Sequence, residues 1–405
     1  MNFSHLITQL ETGFLIQDFA VVMIVAAIMV FVTHKLKQPM VIGYILAGML
    51  IGPFTPPFSL VHNVGTINTL AELGIIILLF VIGTEFPITK LRSVGRISMI
   101  VGIAESLGTL LVTFFVARTL GFSQFDSMFL ALAMSVTSTV VTVKLLEELN
   151  MINDKSSVLI MGILIVEDVI VITMLGILQS LALTAAVSFV DVLLSVAIVL
   201  GFIAAILILG SRYLPPLIDK LARTTDYSVL IIVILGLAFG LSFVAIELGL
   251  SPVIGAFLAG VLVAESNSAG IARVITIPLR DVFTALFFVS VGALVDVSKI
   301  PLFIIPALIL IVTSFMAKMI IIIPVLIRAG YDTTTAVRTG LGLASARGEM
   351  SLIVGKGGQD VGAVSSYILP ILGVVTIVTT FVTPYILKIG TKLNISSSPS
   401  EDNKS

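Results

Sequence analysis

Long apolar stretches alternate with short polar connections along almost the whole chain. A helix needs about 20 apolar residues to cross a bilayer, and on this basis hydropathy predicts thirteen membrane-spanning helices. The predicted spans lie near residues 13–33, 40–54, 67–85, 97–117, 126–144, 156–178, 187–211, 227–247, 251–265, 280–296, 301–327, 334–356 and 364–387. The second and ninth are short, and Ser, Thr, Gly and charged residues dilute the fifth and twelfth. The pattern predicts an all-α polytopic membrane protein.

Composition supports this class. The 405 residues are 58% hydrophobic and only 11% charged, whereas a soluble domain carries roughly 25% charged residues. The net charge of −1 offers no basic face for nucleic acid, so membrane lipid is the expected partner. The absence of cysteine excludes disulfides and Cys-ligated metals, and no cofactor is expected.

The basic residues indicate the orientation of the chain. If the N-terminus is outside, the cytoplasmic loops hold most of the 22 Lys and Arg residues, and the opposite loops hold only Arg118, Lys299 and Lys356. Loops rich in Lys and Arg stay on the cytoplasmic side. We therefore expect a multi-pass protein of the cell membrane with an outside N-terminus and a cytoplasmic C-terminus.

Two short segments repeat within the chain. Residues 41–50 (VIGYILAGML) and 253–262 (VIGAFLAGVL) are identical at seven of ten positions, and residues 78–83 are similar to residues 287–292. The copies lie in the second and ninth predicted spans, seven crossings apart, and an odd step means that the second copy crosses the membrane in the opposite direction. Inverted repeats are typical of secondary transporters, whose binding site lies near the bilayer midplane.

The fifth and twelfth predicted spans occupy corresponding positions in the two halves. Residues 134–140 (MSVTSTV) and 340–349 (GLGLASARGE) are rich in Ser, Thr and Gly, which weaken helices. Unwound backbone at membrane depth is tolerated where it lines a cavity or is buried in protein. The sequence predicts two broken crossing helices, although two intact helices with small residues for close packing are the alternative.

Two adjacent acids, Glu167 and Asp168, lie in the middle of the apolar run 156–178. A charge at this depth costs at least ~2.5 kcal/mol, which favours a site for a cation or a proton. Lys318 lies at a similar depth in the eleventh span, and we expect it to pair with Glu167. Adjacent helical residues point about 100° apart, so Asp168 would face the ion path. A buried salt-bridge cluster that only fixes helix packing is the alternative.

Three hydroxyl-bearing residues in the fifth span extend this site. Thr137, Ser138 and Thr139 could supply oxygen ligands or helix-end dipoles to an ion at Asp168. A cation would occupy the ionised carboxylate and a proton the neutral one. The two ligands would then compete, which is the minimum requirement for exchange.

Four further charges fall inside the predicted spans. Arg347 and Glu349 lie in the twelfth span, and their spacing of two places them on different helical faces. Glu72 and Glu105 are candidate partners from other spans. Because buried charges usually pair, we interpret all four as structural or gating residues.

The leading functional hypothesis is a sodium or potassium/proton antiporter, with the transported Na⁺ or K⁺ bound at Asp168. Alternatives are a channel and a sodium-coupled symporter for an organic anion, which can share inverted repeats. An intramembrane aspartyl protease would need a second aspartate facing Asp168, and no other central span supplies one. The protein is therefore not expected to be an enzyme.

The chain resembles the monovalent cation:proton antiporters, especially the NapA-like sodium/proton and Kef-type potassium/proton branch. The resemblance runs from about Asp18 to Gly390. It rests on SVTSTVV at residues 135–141, the Glu167–Asp168 pair, FFVSVG at 287–292, Lys318 and Arg347-Gly348-Glu349. It implies a NhaA/NapA-like antiporter fold, transport by alternating access, Asp168 as the ion-binding residue and Lys318 as the partner of the preceding acid.

The resemblance also implies a homodimer. Within a transmembrane domain of residues 1–392, it implies a mobile core near 67–178 and 280–387 and a dimer scaffold near 13–54 and 187–265. Glu167 stands where the family has Asp or Gln. Its charge favours the electrogenic sodium type over the potassium/proton exchangers of Kef type. Residues 393–405 are expected to form a short cytoplasmic polar tail with no nucleotide-binding regulatory domain.

Overall fold

The protein is helical throughout the part that the structure describes. This structure is a computed structural model, and it describes residues 3–36, 38–54, 60–61, 64–84, 95–149, 151, 154–183, 189–224, 227–248, 250, 252–295 and 300–392. These ranges contain no strand. Their helices are α1 (Phe3–Lys35), α2 (Met40–Ile51), α3 (Val64–Thr84), α4 (Arg96–Thr119), α5 (Gln124–Ser135), α6 (Thr139–Glu148), α7 (Lys155–Leu183), α8 (Phe189–Ala205), a π-helical turn (Ile206–Gly210), α9 (Ser211–Thr224), α10 (Tyr227–Glu247), α11 (Pro252–Ala264), α12 (Ala269–Ala293), α13 (Ile300–Arg328), α14 (Thr333–Ser345), α15 (Glu349–Asp360) and α16 (Ile368–Lys392).

Eight helical segments of the described chain are long and apolar enough to cross a membrane, and three further apolar helices are shorter. The predicted fifth and twelfth spans are each two short helices, α5 with α6 and α14 with α15. The prediction of a multi-pass helical membrane protein is therefore confirmed. The count of thirteen spans stays a prediction, and the polar tail at 393–405 lies outside the described residues.

The chain divides into two compact units. Unit 1 comprises Met1–Ser93, Ile172–Ile304 and Gly355–Gly373, and unit 2 comprises Val94–Val171, Ile305–Val354 and Val374–Ser405. The predicted mobile core and dimer scaffold are defined by motion and by dimer contacts rather than by compactness. That assignment stays a prediction.

The sequence repeat makes equivalent helix crossings within unit 1. A Cβ atom added to Gly48 on α2 would lie 2.9 Å from the backbone carbon of Gly292 on α12. A Cβ atom added to Gly260 on α11 would lie 2.8 Å from the Cα of Gly83 on α3. Any side chain at these positions would collide with backbone, so glycine permits both close approaches. In both segments, 41–50 and 253–262, a glycine thus allows one helix to contact the backbone of another.

Unit 2 contains a second pair of equivalent turns. Gly121 follows α4 with φ +88° and Gly330 follows α13 with φ +89°, a left-handed conformation that glycine adopts without strain. Two residues after each glycine, Ser123 caps α5 and Asp332 caps α14. Each accepts a hydrogen bond from the backbone N–H three residues further on. These turns set the start of the two helix pairs that carry the site.

Apolar side chains from α4, α6, α7, α13 and α14 pack together as a core of unit 2. All of them are almost completely buried, which is the expected state of the inward face of such helices. The cluster comprises Val101, Leu146, Leu159, Ile160, Ile163, Leu164, Ile322, Leu326, Ala336 and Leu343. This packing holds together the helices that contribute the buried charges.

Candidate ion-binding site

Two interruptions in the helices of unit 2 form the centre of the site. α5 ends at Ser135 and α6 begins at Thr139, with Val136 in an extended conformation between them (φ −91°, ψ 143°). α14 ends at Ser345 and α15 begins at Glu349, with Ala346 equally extended (φ −98°, ψ 132°). Both breaks lie within the segments 134–140 and 340–349 that the sequence singles out.

The two extended segments are bonded to each other. The backbone N–H of Ser138 donates to the carbonyl oxygen of Ala346 at 3.1 Å. The hydroxyl of Ser351 donates to the carbonyl oxygen of Ala133 at 2.7 Å. A Cβ atom added to Gly348 would collide with the side chain of Ser138. These hydrogen bonds therefore satisfy some of the backbone N–H and C=O groups that lose their helical partners where the helices are interrupted.

Glu167 on α7 is fully buried and turned toward the first break. The backbone N–H of Thr137 donates to its Oε2 at 2.6 Å, and Lys318 Nζ donates to its Oε1 at 3.0 Å. The Thr137 hydroxyl accepts from Lys318 at 2.8 Å and donates to the carbonyl oxygen of Leu343 at 2.6 Å. Thr137 thus connects the acid, the lysine and the second helix pair.

Lys318 on α13 lies between two carboxylates. Its Nζ is 3.0 Å from Glu167 Oε1 and 3.0 Å from Glu105 Oε2, and all three side chains are 0% exposed. Charges buried this completely are stable only when they are paired and hydrogen-bonded. The structure brings Lys318 to Glu167, as the sequence predicts, and adds Glu105 from α4 as a second partner.

Asp168 follows Glu167 on α7 and is directed to different partners. Its side chain is 2% exposed, and the hydroxyl of Thr139 donates to its Oδ2 at 3.0 Å. Thr139 is the first residue of α6, where the N-terminal end of the helix favours negative charge. The Asp168 carboxylate therefore lies beside a hydroxyl oxygen and near the N-terminal end of α6.

The three predicted hydroxyl ligands separate in the structure. Thr139 faces Asp168. Thr137 faces Glu167 and Lys318, and the Ser138 hydroxyl donates to Glu349 Oε2 at 2.9 Å. One hydroxyl of the three therefore hydrogen-bonds the candidate ion-binding carboxylate, and the other two bind neighbouring buried groups.

Arg347 lies in the second break and is 1% exposed. Its Nη1 donates to the carbonyl oxygens of Ala344 and Ala346 at 3.3 and 3.2 Å, and its backbone N–H donates to Thr379 Oγ1 at 3.0 Å. Within the described part of the chain its Nε and Nη2 have no hydrogen-bond partner. Arg347 therefore binds carbonyl groups near the end of α14.

The other predicted charges occupy distinct places. Glu349 is the first residue of α15, where its carboxylate lies near the positive end of the helix dipole. Glu72 lies on α3 in unit 1, and its side chain is exposed. Glu105 pairs with Lys318 in unit 2 and is not bonded to Arg347 through any of the described contacts.

Sequence reasoning did not assign Glu105 to the lysine. The available signal was the shared membrane depth of Glu105, Glu167 and Lys318 in three predicted spans. Depth alone does not say which helices are neighbours. Among the described residues, no group of three or more His, Cys, Asp or Glu side chains could hold a metal ion.

The sequence matches a known family along most of its length. Residues 20–392 match the model described as "Sodium/hydrogen exchanger, transmembrane". The chain is 35% identical to the putative cation/proton antiporter YbaL of Escherichia coli over 68% of its length. That match spans 50% of YbaL, so the chain spans half the length of this relative.

Other relatives match almost from end to end. The chain is 29% identical to a Na⁺/H⁺ antiporter of Enterococcus hirae, covering 89% of this chain and 94% of that protein. It is 27% identical to the K⁺/H⁺ antiporter subunit KhtU of Bacillus subtilis, covering 92% and 93%. Its fold is similar to that of the sodium proton antiporter MjNhaP1 from Methanocaldococcus jannaschii, with a TM-score of 0.74, 16% identity and coverage of 95% and 99%.

Proposed function

This chain belongs to the transmembrane sodium/hydrogen exchanger family, and from that premise we propose that it exchanges a monovalent cation for protons. Transport would follow alternating access, in which the site opens to one side of the membrane at a time. Na⁺ or K⁺ would be a transported substrate, bound at Asp168. Cation/proton antiport is supported by the names of similar proteins, which are cation/proton, Na⁺/H⁺ and K⁺/H⁺ antiporters.

The contact between Thr139 and Asp168 carries this proposal. Asp168 Oδ2 and the Thr139 hydroxyl place two oxygen atoms 3.0 Å apart in a buried setting, and a carboxylate buried at membrane depth is the kind of group that marks an ion pathway. A proton on the same carboxylate would remove the charge that attracts the cation. Cation and proton would then bind in competition, and each would drive release of the other.

The unwound segment between α5 and α6 connects Asp168 to the Glu167–Lys318 ion pair, so ion binding at Asp168 can affect that pair. Thr139 bonds to Asp168, whereas Thr137, two residues earlier in the same segment, bonds to Glu167 and Lys318. A cation that draws on the Thr139 oxygen would shift this segment. We propose that the Glu167–Lys318 contact breaks when the cation enters and re-forms when a proton replaces the cation.

For the ion itself we propose Na⁺ ahead of K⁺, because a charged Glu167 precedes Asp168 as in the electrogenic sodium type. A K⁺/H⁺ antiporter of Kef type is the second candidate, and it is supported by the likeness to KhtU. We further propose a homodimer in the cell membrane, as the resemblance to this family implies. We propose an outside N-terminus and a cytoplasmic C-terminus, because the loop charges are distributed in that sense.

The test uses the purified protein in liposomes that enclose a pH-sensitive dye. With an inside-acid gradient imposed, Na⁺, K⁺ and Li⁺ are added externally in turn. We expect rapid alkalinisation of the lumen with Na⁺, and loss of this response in Asp168→Asn. Glu247→Gln, an acid-to-amide change at an exposed position of α10, is the matched control and should behave as wild type.

Three results would contradict parts of the proposal. A response to K⁺ alone would replace sodium by potassium as the substrate. Retained exchange in Asp168→Asn would remove Asp168 from the site. No response to any monovalent cation, with uptake of an organic anion driven by a sodium gradient, would instead support a symporter in which Arg347 offers its free guanidinium nitrogens to the anion.

A further inference from the structure

The two carboxylates that hold Lys318 have the same distance to its ammonium group but different surroundings. Glu105 comes from α4 and Glu167 from α7, and each oxygen is 3.0 Å from Lys318 Nζ. A single ammonium group between two fully buried carboxylates is held from two directions. Loss of either contact would leave the other in place.

The remaining contacts of the two acids separate their roles. The second oxygen of Glu167 accepts the backbone N–H of Thr137, so this acid is attached to the unwound segment. The second oxygen of Glu105 accepts the hydroxyl of its own neighbour Ser106 at 3.0 Å, and its carboxyl group also contacts that of Glu167. Among the described contacts Glu105 has none to residues 136–138, so a shift of that segment would act first on Glu167 and leave the contact between Glu105 and Lys318 in place.

We propose that Glu105 is a positioning residue that keeps the Lys318 ammonium group in place when Glu167 releases it on cation entry. This inference rests on the proposed antiport function and explains how the Glu167–Lys318 contact can break at membrane depth. Without a second carboxylate, the released lysine would be a buried and unpaired charge, which is strongly unfavourable. With Glu105 present, the lysine keeps one ionic partner throughout the cycle.

Arg347 is a second buried positive charge in unit 2, and its contacts are consistent with the positioning role of Glu105. The Arg347 guanidinium group lies within electrostatic range of Glu105 and Glu167, but among the described contacts it forms no ion pair with either acid. Arg347 is itself bonded to Ala344 and Ala346 in the second break. It can therefore contribute to the balance of charge, but its hydrogen bonds do not hold Lys318.

The first experiment measures cation-dependent proton movement in proteoliposomes carrying Glu105→Gln. We expect the apparent KM for the cation to rise about tenfold, because the cation-bound state loses the anchor of the released lysine. The maximal rate should stay within about twofold of wild type, because a saturating cation concentration restores the bound state. Glu105→Asp, which keeps the charge on a shorter side chain, should recover part of the affinity, and Glu247→Gln should not change the KM.

If Glu105 had a purely structural role, its substitution would change the maximal rate and the melting temperature rather than the KM. If Glu105→Gln lowers the maximal rate and the melting temperature together while the KM is unchanged, Glu105 supports the fold and the inference is wrong. A KM and rate equal to wild type would overturn it as well. Failure of the wild-type protein to exchange any cation would instead overturn the proposed function.

A second measurement tests the shared anchoring without relying on transport. Thermal unfolding in detergent is compared for Glu105→Gln, Glu167→Gln and the double variant. Each single variant leaves Lys318 one carboxylate, whereas the double variant leaves none. The double variant should lose more melting temperature than the two single losses combined, and simple additivity would contradict shared anchoring.

Discussion

The hydroxyl of Thr139 donates to Oδ2 of Asp168 at 3.0 Å, and this contact joins the first residue of α6 to a carboxylate in the middle of α7. Thr137, on the same unwound segment, is bonded to Glu167 and Lys318. One short segment therefore touches both the candidate ion-binding acid and the buried ion pair. Several consequences of this arrangement can be measured.

Thr139→Val should weaken cation binding, because it removes the hydroxyl oxygen and keeps the branched shape. A hydrogen bond to a charged group contributes about 1.5–3 kcal/mol, so the apparent KM in the proteoliposome assay should rise roughly tenfold or more. Thr139→Ser retains the oxygen and should restore most of the affinity. An unchanged KM in Thr139→Val would show that this hydroxyl does not contribute to the site.

Lys318→Met should strongly destabilise the protein, because it leaves Glu105 and Glu167 buried without the ammonium group between them. Removal of one partner from a buried ion pair typically costs about 3–5 kcal/mol. Thermal unfolding in detergent should show a large fall in melting temperature. Lys155→Met, at an exposed position, is the control and should have little effect.

The instability expected for Lys318→Met should be reversed when both of its carboxylate partners are also neutralised. The triple variant Lys318→Met/Glu105→Gln/Glu167→Gln contains no unpaired charge in this cluster and should regain much of the lost melting temperature. If the triple variant is as unstable as Lys318→Met, the loss comes from packing of the lysine side chain rather than from its charge.

Gly348→Ala should disrupt the crossing of the two breaks, because its new methyl group would collide with the side chain of Ser138. We expect a lower melting temperature and reduced exchange. Gly236→Ala on α10 is the matched control, since an added Cβ there meets nothing within 4 Å. That control should be neutral or slightly stabilising, because alanine favours helix. Combining Gly348→Ala with Ser138→Gly removes the clash and should restore part of the stability.

The cap of α14 should titrate, because the capping group is the carboxylate of Asp332 itself. Hydrogen bonds from Thr335 lower the pKa of Asp332 below its usual value. A lowered carboxyl pKa means that the capping stability is fully present above the unfolded pKa of about 3.9 and is lost as the pH falls through the lower folded value. Ser123, the equivalent cap of α5, accepts through a hydroxyl that itself donates to Asp126 Oδ2 at 2.8 Å.

Hydrogen exchange of the two helix starts can check this difference. Amides in the first turn of α14 should lose protection as the pH falls below about 4, beyond the intrinsic pH dependence seen in α5. Asp332→Asn keeps a capping side chain without an acid and should remove the extra pH dependence. Asp332→Ala should cost about 0.5–2 kcal/mol of local helix stability at neutral pH. An unchanged pH profile of the α14 amides in Asp332→Asn would contradict the assignment.

Much of the framework follows from the sequence because membrane constraints act on local stretches of chain. Apolar runs predict helices, and the Ser, Thr and Gly content of residues 134–140 and 340–349 predicts where two of them break. The high cost of charge at membrane depth singles out Glu167, Asp168 and Lys318 as residues that need partners. These inferences need only the residue types and their depth.

The identity of each partner was decided by the tertiary structure. The sequence suggested Glu105 as a candidate partner of Arg347 or Glu349, whereas the packing of α4 and α13 in unit 2 places it against Lys318. Arg347 binds carbonyl groups because a broken helix end offers acceptors close to its own backbone, so it does not depend on a carboxylate from another helix.

Tertiary structure also decided the different hydrogen-bond partners of Thr137, Ser138 and Thr139. Their sequence pattern predicts oxygen ligands near Asp168, but consecutive residues of an unwound segment point in different directions. The sequence by itself determined a helical membrane protein with buried acids, a buried lysine and two weak helices. Only the tertiary structure decided which oxygen faces which charge, because contacts between residues 29 to 211 positions apart depend on how whole helices pack.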